Sequence, residues 1–317
     1  MLDTRDPSIH SAERLRAMLL QLGQPDLGRR ALFDLADGLT AYGRVVEAGD
    51  AIARLRQSGL SNQSALAYLD RLDAINAYLA ASAVPLMAMV SPEHQATLLA
   101  PRSSFWKSPQ RSDRLIVVFA TAYNNFSVSF CVIHALLQRF GCSLLYIKNP
   151  GRGMYAGGSP GFGTSIDTLA QALGRFCGRQ GIGDLRICGF SSSGYASLYT
   201  AGMLGARAYL GFAVKTDWAP DSPLKAVVGR AAPEDEDRRG NTLVNLRGLG
   251  AMTGIGHAEL YFGTRDVSDA DHARNMAGMV NITPVPVAGA THNVIQHLMG
   301  EGRFDAVLER FAGEGAA

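Results

Sequence analysis

Between residues 30 and 60 apolar side chains recur at Leu32, Leu35, Ala36, Leu39, Ala48, Ile52 and Leu55, with Gly43 between the two runs. Steps of three and four predict two amphipathic helices joined by a turn at Gly43, with these side chains on their facing sides. The remainder of 1–102 is also helical in period and nearly free of strand signal. From about residue 103 the texture changes. Leu115-Ile-Val-Val-Phe119 is a continuous apolar, β-branched run, the pattern of a strand buried on both faces. Further strands are expected at 142–147, 185–188, 208–214, 259–262 and 282–287. Helices are expected between them, at 126–140, 165–178, 194–204, 270–279 and 293–311. Strands alternating with helices predict an α/β fold with a doubly wound, mostly parallel sheet, preceded by an α-helical region. In such a sheet functional residues collect at the carboxyl ends of the strands.

This pattern divides the chain into a helical region, 1–102, and an α/β region, 103–317, with a polar, lid-like insertion at about 217–245. At about 29–62 the helix pair resembles a single tetratricopeptide repeat, including its Gly43-Arg44 and Glu47-Ala48 turn. Solenoids need about three units to be stable, so this unit is expected to lean on the region that follows. The plain reading is a helical appendage or lid; the repeat resemblance implies a surface for a protein partner.

Composition narrows the function classes. A chain of 317 residues with 47% apolar side chains can build a full core. A net charge of +2 gives no electrostatic case for nucleic acid or an anionic membrane. Cys131, Cys142, Cys177 and Cys188 have no metal-type spacing and read as buried thiols in a reducing compartment. The first residues carry acids and no apolar signal core, and no apolar run reaches the ~20 residues of a spanning helix. A cytoplasmic location is expected.

The candidate chemistry sits in Asp184-Leu-Arg-Ile-Cys-Gly-Phe-Ser-Ser-Ser-Gly-Tyr-Ala-Ser-Leu198, which reads as strand, tight turn and helix. A serine at the apex of such a turn presents its hydroxyl with a helix N-terminus behind it. The crowded turn requires small residues two before and two after the nucleophile. Ser191 has Gly189 and Ser193 there, whereas Ser192 would follow Phe190 at that spacing and Ser193 would precede Tyr195. Ser191 is therefore the candidate nucleophile.

Over residues 112–313 the chain resembles the α/β-hydrolase superfamily, and Gly189-Phe-Ser-Ser-Ser-Gly-Tyr-Ala-Ser-Leu198 is similar to a G-x-S-x-G-G-Y-A-x-L elbow with serine for the second glycine. The resemblance implies a triad in the chain order Ser, acid, His. Asp266, in Gly263-Thr-Arg-Asp266 after a late strand, is the expected acid, and His292, after the last strand, the expected base. Asp269 and Asp271, which could instead cap the following helix, compete with Asp266, and Asp217, after the preceding strand, is the alternative acid. The oxyanion hole would take the N–H of Ser192 and that of Ala122 or Tyr123, just past the first buried strand. Ala120-Thr121 stands where His-Gly is frequent, and Asn124 or Asn125 offers side-chain donors instead.

The glycine-rich stretch 149–163 lacks G-x-G-x-x-G spacing, and Gly189 to Gly194 is not followed by Lys-Ser/Thr, so neither reads as a nucleotide cradle. No cofactor and no metal is expected. The activity implied is hydrolysis of an ester or thioester on a small-molecule or acyl-carrying substrate through an acyl-Ser191 intermediate. An acyltransferase with the same triad and a non-catalytic scaffold that binds a partner are the alternatives.

Overall fold

The computed structural model describes residues 10–110, 113–149, 155–219, 222–224 and 243–313. Helices fill the first part: α1 (Ala12–Leu22), α2 (Arg29–Ala41), α3 (Val45–Gln57), α4 (Gln63–Ser82), α5 (Val84–Met87) and α6 (Pro92–Leu99). Gly43 takes φ +73° between α2 and α3, a conformation that glycine adopts without cost. Leu32, Leu35, Ala36, Leu39, Ala48, Ile52 and Leu55 are all buried, which matches the facing sides read from their spacing.

A single seven-stranded sheet follows, in spatial order β1-β3-β2-β4-β5-β6-β7. The strands are β1 (Ser104–Trp106), β2 (Arg114–Phe119), β3 (Ser143–Ile147), β4 (Asp184–Phe190), β5 (Ala208–Phe212), β6 (His257–Gly263) and β7 (Ile282–Val287). Only β1 runs antiparallel, pairing with β3 at the edge. Its three residues are too short to show a period, and for that reason sequence reading passed over it.

Helices α7 (Phe130–Gln138), α8 (Ile166–Gln180), α9 (Gly194–Leu204), α10 (Val267–Asn275), α11 (Val294–Gly300) and α12 (Phe304–Ala312) link the strands or close the chain. The expected long terminal helix is two helices because Gly302, at φ +67°, turns the chain between them. The helix expected from 126 starts at Phe130 because Phe126 bridges to Val128 around Ser127, at φ +67°.

Alternate strand residues face opposite sides, as a pleat requires. Ile116, Val118, Leu144, Tyr146, Leu210 and Phe212 share one core cluster with α1–α4, α7, α11 and α12. Leu115, Val117, Phe119, Leu145 and Ile187 share the other with α8 and α9. The helical region thus packs on α7 and α11, the helices that cover this side of the sheet, and joins their core cluster. At the amino end of the sheet, Asp184 receives Arg114 Nε at 2.6 Å and Arg186 Nε at 3.0 Å. The two guanidiniums also donate to the Phe311, Ala312 and Gly313 carbonyls, capping α12. All four cysteines are buried and free. Among the described residues no helix is long and apolar enough to cross a membrane.

Candidate active site

β4 ends at Phe190, a single 3-10 turn covers Ser191–Ser193, and α9 starts at Gly194. Ser191 has φ +52°, a left-handed conformation that costs a non-glycine residue on the order of 1–2 kcal/mol. Such an elbow survives only where its neighbours fix it. A Cβ on Gly189 would fall 1.8 Å from Ser197 Oγ, and one on Gly194 would fall 2.9 Å from the Val214 Cα. Ser193 is tolerated in place of glycine because its buried hydroxyl has partners. It accepts the Phe190 N–H at 3.2 Å and lies 3.0 Å and 2.9 Å from the Phe119 and Phe190 carbonyls, to which it donates.

His292 follows β7, in the turn before α11. Its Nε2 lies 2.7 Å from Ser191 Oγ, and its Nδ1 lies 2.8 Å from Asp269 Oδ2. The loop that carries it closes on the end of β6: a Cβ on Gly263 would fall 2.2 Å from the Thr291 carbonyl oxygen and 2.5 Å from that of Ala290. Only glycine allows that approach. The Phe190 ring packs on the imidazole with centroids 5.5 Å apart.

The carboxylate bonded to His292 belongs to Asp269, not to Asp266. Asp266 is the N-cap of α10, and its Oδ1 accepts the Asp269 N–H at 2.9 Å. The helix expected from residue 270 therefore starts at Val267, and Asp269 occupies its first turn. Asp217 lies elsewhere, accepting from the Ala219 N–H, the Ser222 hydroxyl and the Asn245 amide. The insertion expected at 217–245 lies largely outside the described residues; its two ends are joined by the Asp217–Asn245 bridge.

Asp269 is fully buried, and its second oxygen receives the Lys215 ammonium at 2.7 Å. Burial alone would push this carboxyl up, but the His292 bond and Lys215 outweigh it and hold Asp269 below its ordinary value. Asp266, Asp269 and His292 bring one ligating atom each within 4.8 Å of one another. Two of the three also have other partners, the Lys215 ammonium on Asp269 and the main-chain N–H of Asp269 on Asp266.

Past β2, the Ala122 N–H points at the elbow, 3.3 Å from Ser192 Oγ, whereas the Tyr123 N–H turns to Thr121 Oγ1 at 3.3 Å. Of the two main-chain N–H groups expected here, that of Ala122 is thus the one turned toward the serine elbow. Asn124, at φ +54°, is occupied elsewhere: its amide donates to the His10 and Leu99 carbonyls at 2.8 Å and 3.1 Å. The Asn125 side-chain Oδ1 accepts the Thr121 hydroxyl at 2.5 Å. The His10 N–H in turn donates to the Tyr123 carbonyl at 2.9 Å, and its ring stacks on Tyr42. The described end of the glycine-rich stretch is pegged by Tyr155, whose hydroxyl reaches the Ala120 and Ile147 carbonyls, both at 2.8 Å.

A parallel sheet with one antiparallel edge, a strained serine elbow after its central strand, and acid and histidine after later strands in that order define one architecture. The fold is the α/β-hydrolase fold. No protein-family profile and no curated protein matches the chain in sequence. Among solved structures it is similar to MenH from S. aureus, at 12% identity and TM-score 0.44, over 69% of this chain and 100% of that one. It is also similar to a carboxylesterase structure from the thaumarchaeon Nitrososphaera gargenis, at 12% identity and TM-score 0.47, over 66% and 94% of the two chains. A third is a monoacylglycerol lipase from Paleococcus ferrophilus, at 16% identity and TM-score 0.43, over 66% and 97%. On the α/β-hydrolase fold of this chain, Ser191, His292 and Asp269 meet at the carboxyl edge of the sheet.

Proposed function

We propose that the protein is a serine hydrolase acting on an ester or thioester through an acyl-Ser191 intermediate. The observation that carries this is the unbroken hydrogen-bonded chain from Ser191 Oγ through His292 to Asp269, at 2.7 Å and 2.8 Å. In this reading His292 Nε2 takes the Ser191 proton as Oγ attacks the carbonyl carbon. Asp269 holds the proton on Nδ1, so that Nε2 is the free base. The Ala122 and Ser192 N–H groups receive the oxyanion. As the tetrahedral adduct collapses, His292 returns its proton to the departing alcohol or thiol. Water then repeats the sequence on the acyl-enzyme and releases the acid. Tyr123, beside Ala122 in its loop, and Val267, in the first turn of α10 with Asp269, are exposed apolar side chains that favour an apolar group on the substrate.

The test is labelling with a fluorophosphonate probe. Wild type is expected to take one label on Ser191, and Ser191→Ala and His292→Ala to take none. Absence of label on wild type, or equal labelling of Ser191→Ala, sinks the proposal. Adding alcohol or amine acceptors to an activated ester separates hydrolysis from acyl transfer.

A further inference from the structure

We infer that Lys215 is a positioning residue that keeps the resting His292 imidazole neutral by neutralising the Asp269 carboxylate. This rests on the acyl-Ser191 reading, since a base that is already protonated cannot take the serine proton.

The residue is delivered by the fold. Ala213 has φ +49° and its N–H donates to the Tyr261 carbonyl at 2.8 Å, bending the chain after β5 toward α10. Lys215 Nζ then reaches Asp269 Oδ1 at 2.7 Å and Ser268 Oγ at 2.8 Å. Asp269 is thereby shared between two partners, a fixed ammonium on one oxygen and the imidazole on the other. A fully buried carboxylate with no other cation draws a proton onto the nearest base, because ion pairing offsets its desolvation. Here that base is His292, and the product would be an imidazolium with nothing left to accept from Ser191. An ammonium on the far oxygen offsets the same desolvation and leaves the imidazole free.

The other charges around the pair act in the opposite sense. Asp266 caps the same helix with a carboxylate oxygen within 4.8 Å of the imidazole, while Asp217 and Asp271 act on the neighbouring His272. A second carboxylate that close favours a protonated His292. His272 adds no charge: burial, reinforced by Lys215, pushes it down to about 4, and its Nδ1 accepts the Thr216 N–H at 3.1 Å. Lys215 is the group that opposes these acids at Asp269.

The experiment follows the rate of fluorophosphonate labelling of the full chain from about pH 4 to about pH 9, around the ordinary histidine range. Lys215→Gln keeps a hydrogen-bond donor toward Asp269 and removes the charge. It is expected to move the acid limb of the profile up by about one pH unit, a tenfold change in proton affinity. Lys215→Arg is expected to restore the wild-type limb. A purely structural role would lower the plateau of Lys215→Gln and leave the limb in place, and that result overturns the inference. A second measurement does not depend on catalysis: the downfield Nδ1–H proton resonance, identified by its loss in His292→Ala. The pH at which it changes should rise in Lys215→Gln, and an unmoved signal again overturns the inference. If wild type takes no label, the hydrolase reading falls, while the resonance still decides the role of Lys215.

Discussion

Asp266 accepts the main-chain N–H of Asp269 at 2.9 Å, and that one bond sets the start of α10 so that the second carboxylate meets His292. Two acids three residues apart thus have separable tasks, one capping and one orienting. Asp269→Asn is expected to lower kcat by about 10⁴, as loss of the orienting acid does elsewhere, and to lower the melting temperature as well, because the Lys215 ammonium loses its buried partner. Asp266→Asn should keep activity within about tenfold and cost about 1 kcal/mol or less of stability, because asparagine also caps helices well. Rates and melting curves on both variants check this; equal activity losses would contradict it.

The oxyanion role proposed for Ala122 is testable by removing one hydrogen. Ala122→Pro deletes the N–H that faces the elbow. Loss of one such donor costs about 10² to 10³ in kcat, with KM much less affected. The comparison is steady-state kinetics on an activated ester with folding verified by circular dichroism. A fall confined to KM would argue that this N–H binds ground-state substrate only.

Gly263→Ala probes the closure of the His292 loop. The new Cβ would strike the Thr291 and Ala290 carbonyl oxygens, which are backbone atoms with little room to yield. The expected result is a loss of more than about 10² in labelling rate, since small misplacements of catalytic groups are that costly. A crystal structure of the variant should show the 290–292 segment moved away from β6. Unchanged labelling would mean that the loop relaxes without disturbing His292.

Much of this arrangement was legible in the sequence. Continuous apolar runs located β2, β3 and β5, because burial on both faces leaves no polar alternation to confuse. The elbow singled out Ser191 on steric grounds, and the contacts of Gly189 and Gly194 bear on the same crowding. The position of the acid was not legible. Asp266 and Asp269 both follow β6, and choosing between them requires knowing which one caps α10. The signal was present as Asp266-Val-Ser-Asp269, an acid followed three residues later by another at a helix start, the spacing of a cap and its first turn. Lys215 was not legible either, because its contact spans 54 residues of chain and depends on the bend at Ala213.

Asp184 offers a stability test remote from the site. Its burial favours the neutral acid, but hydrogen bonds from Arg186 and Arg114 outweigh that and hold the carboxyl below its ordinary value. A depressed carboxyl contributes stability that is complete above the unfolded value of about 3.9 and is lost as pH falls through the folded one. Asp184→Asn leaves two guanidiniums underpaired and should cost about 3–5 kcal/mol near neutral pH. Its melting temperature should also fall less steeply than that of wild type on acidification. Parallel melting curves against pH for the two proteins provide the measurement.

The bonds from Asn124 to the His10 and Leu99 carbonyls give the oxyanion loop the lifetime of the helices rather than of a surface turn. Amide exchange at Thr121 and Asn124 would then report the cooperative opening of the helical region, not local breathing. A chain trimmed to 103–317 would retain Ser191, Asp269 and His292 yet lose both carbonyls that fix Asn124. That fragment would also uncover the core face shared with α1–α4, so the loop and the elbow would lose their common support together.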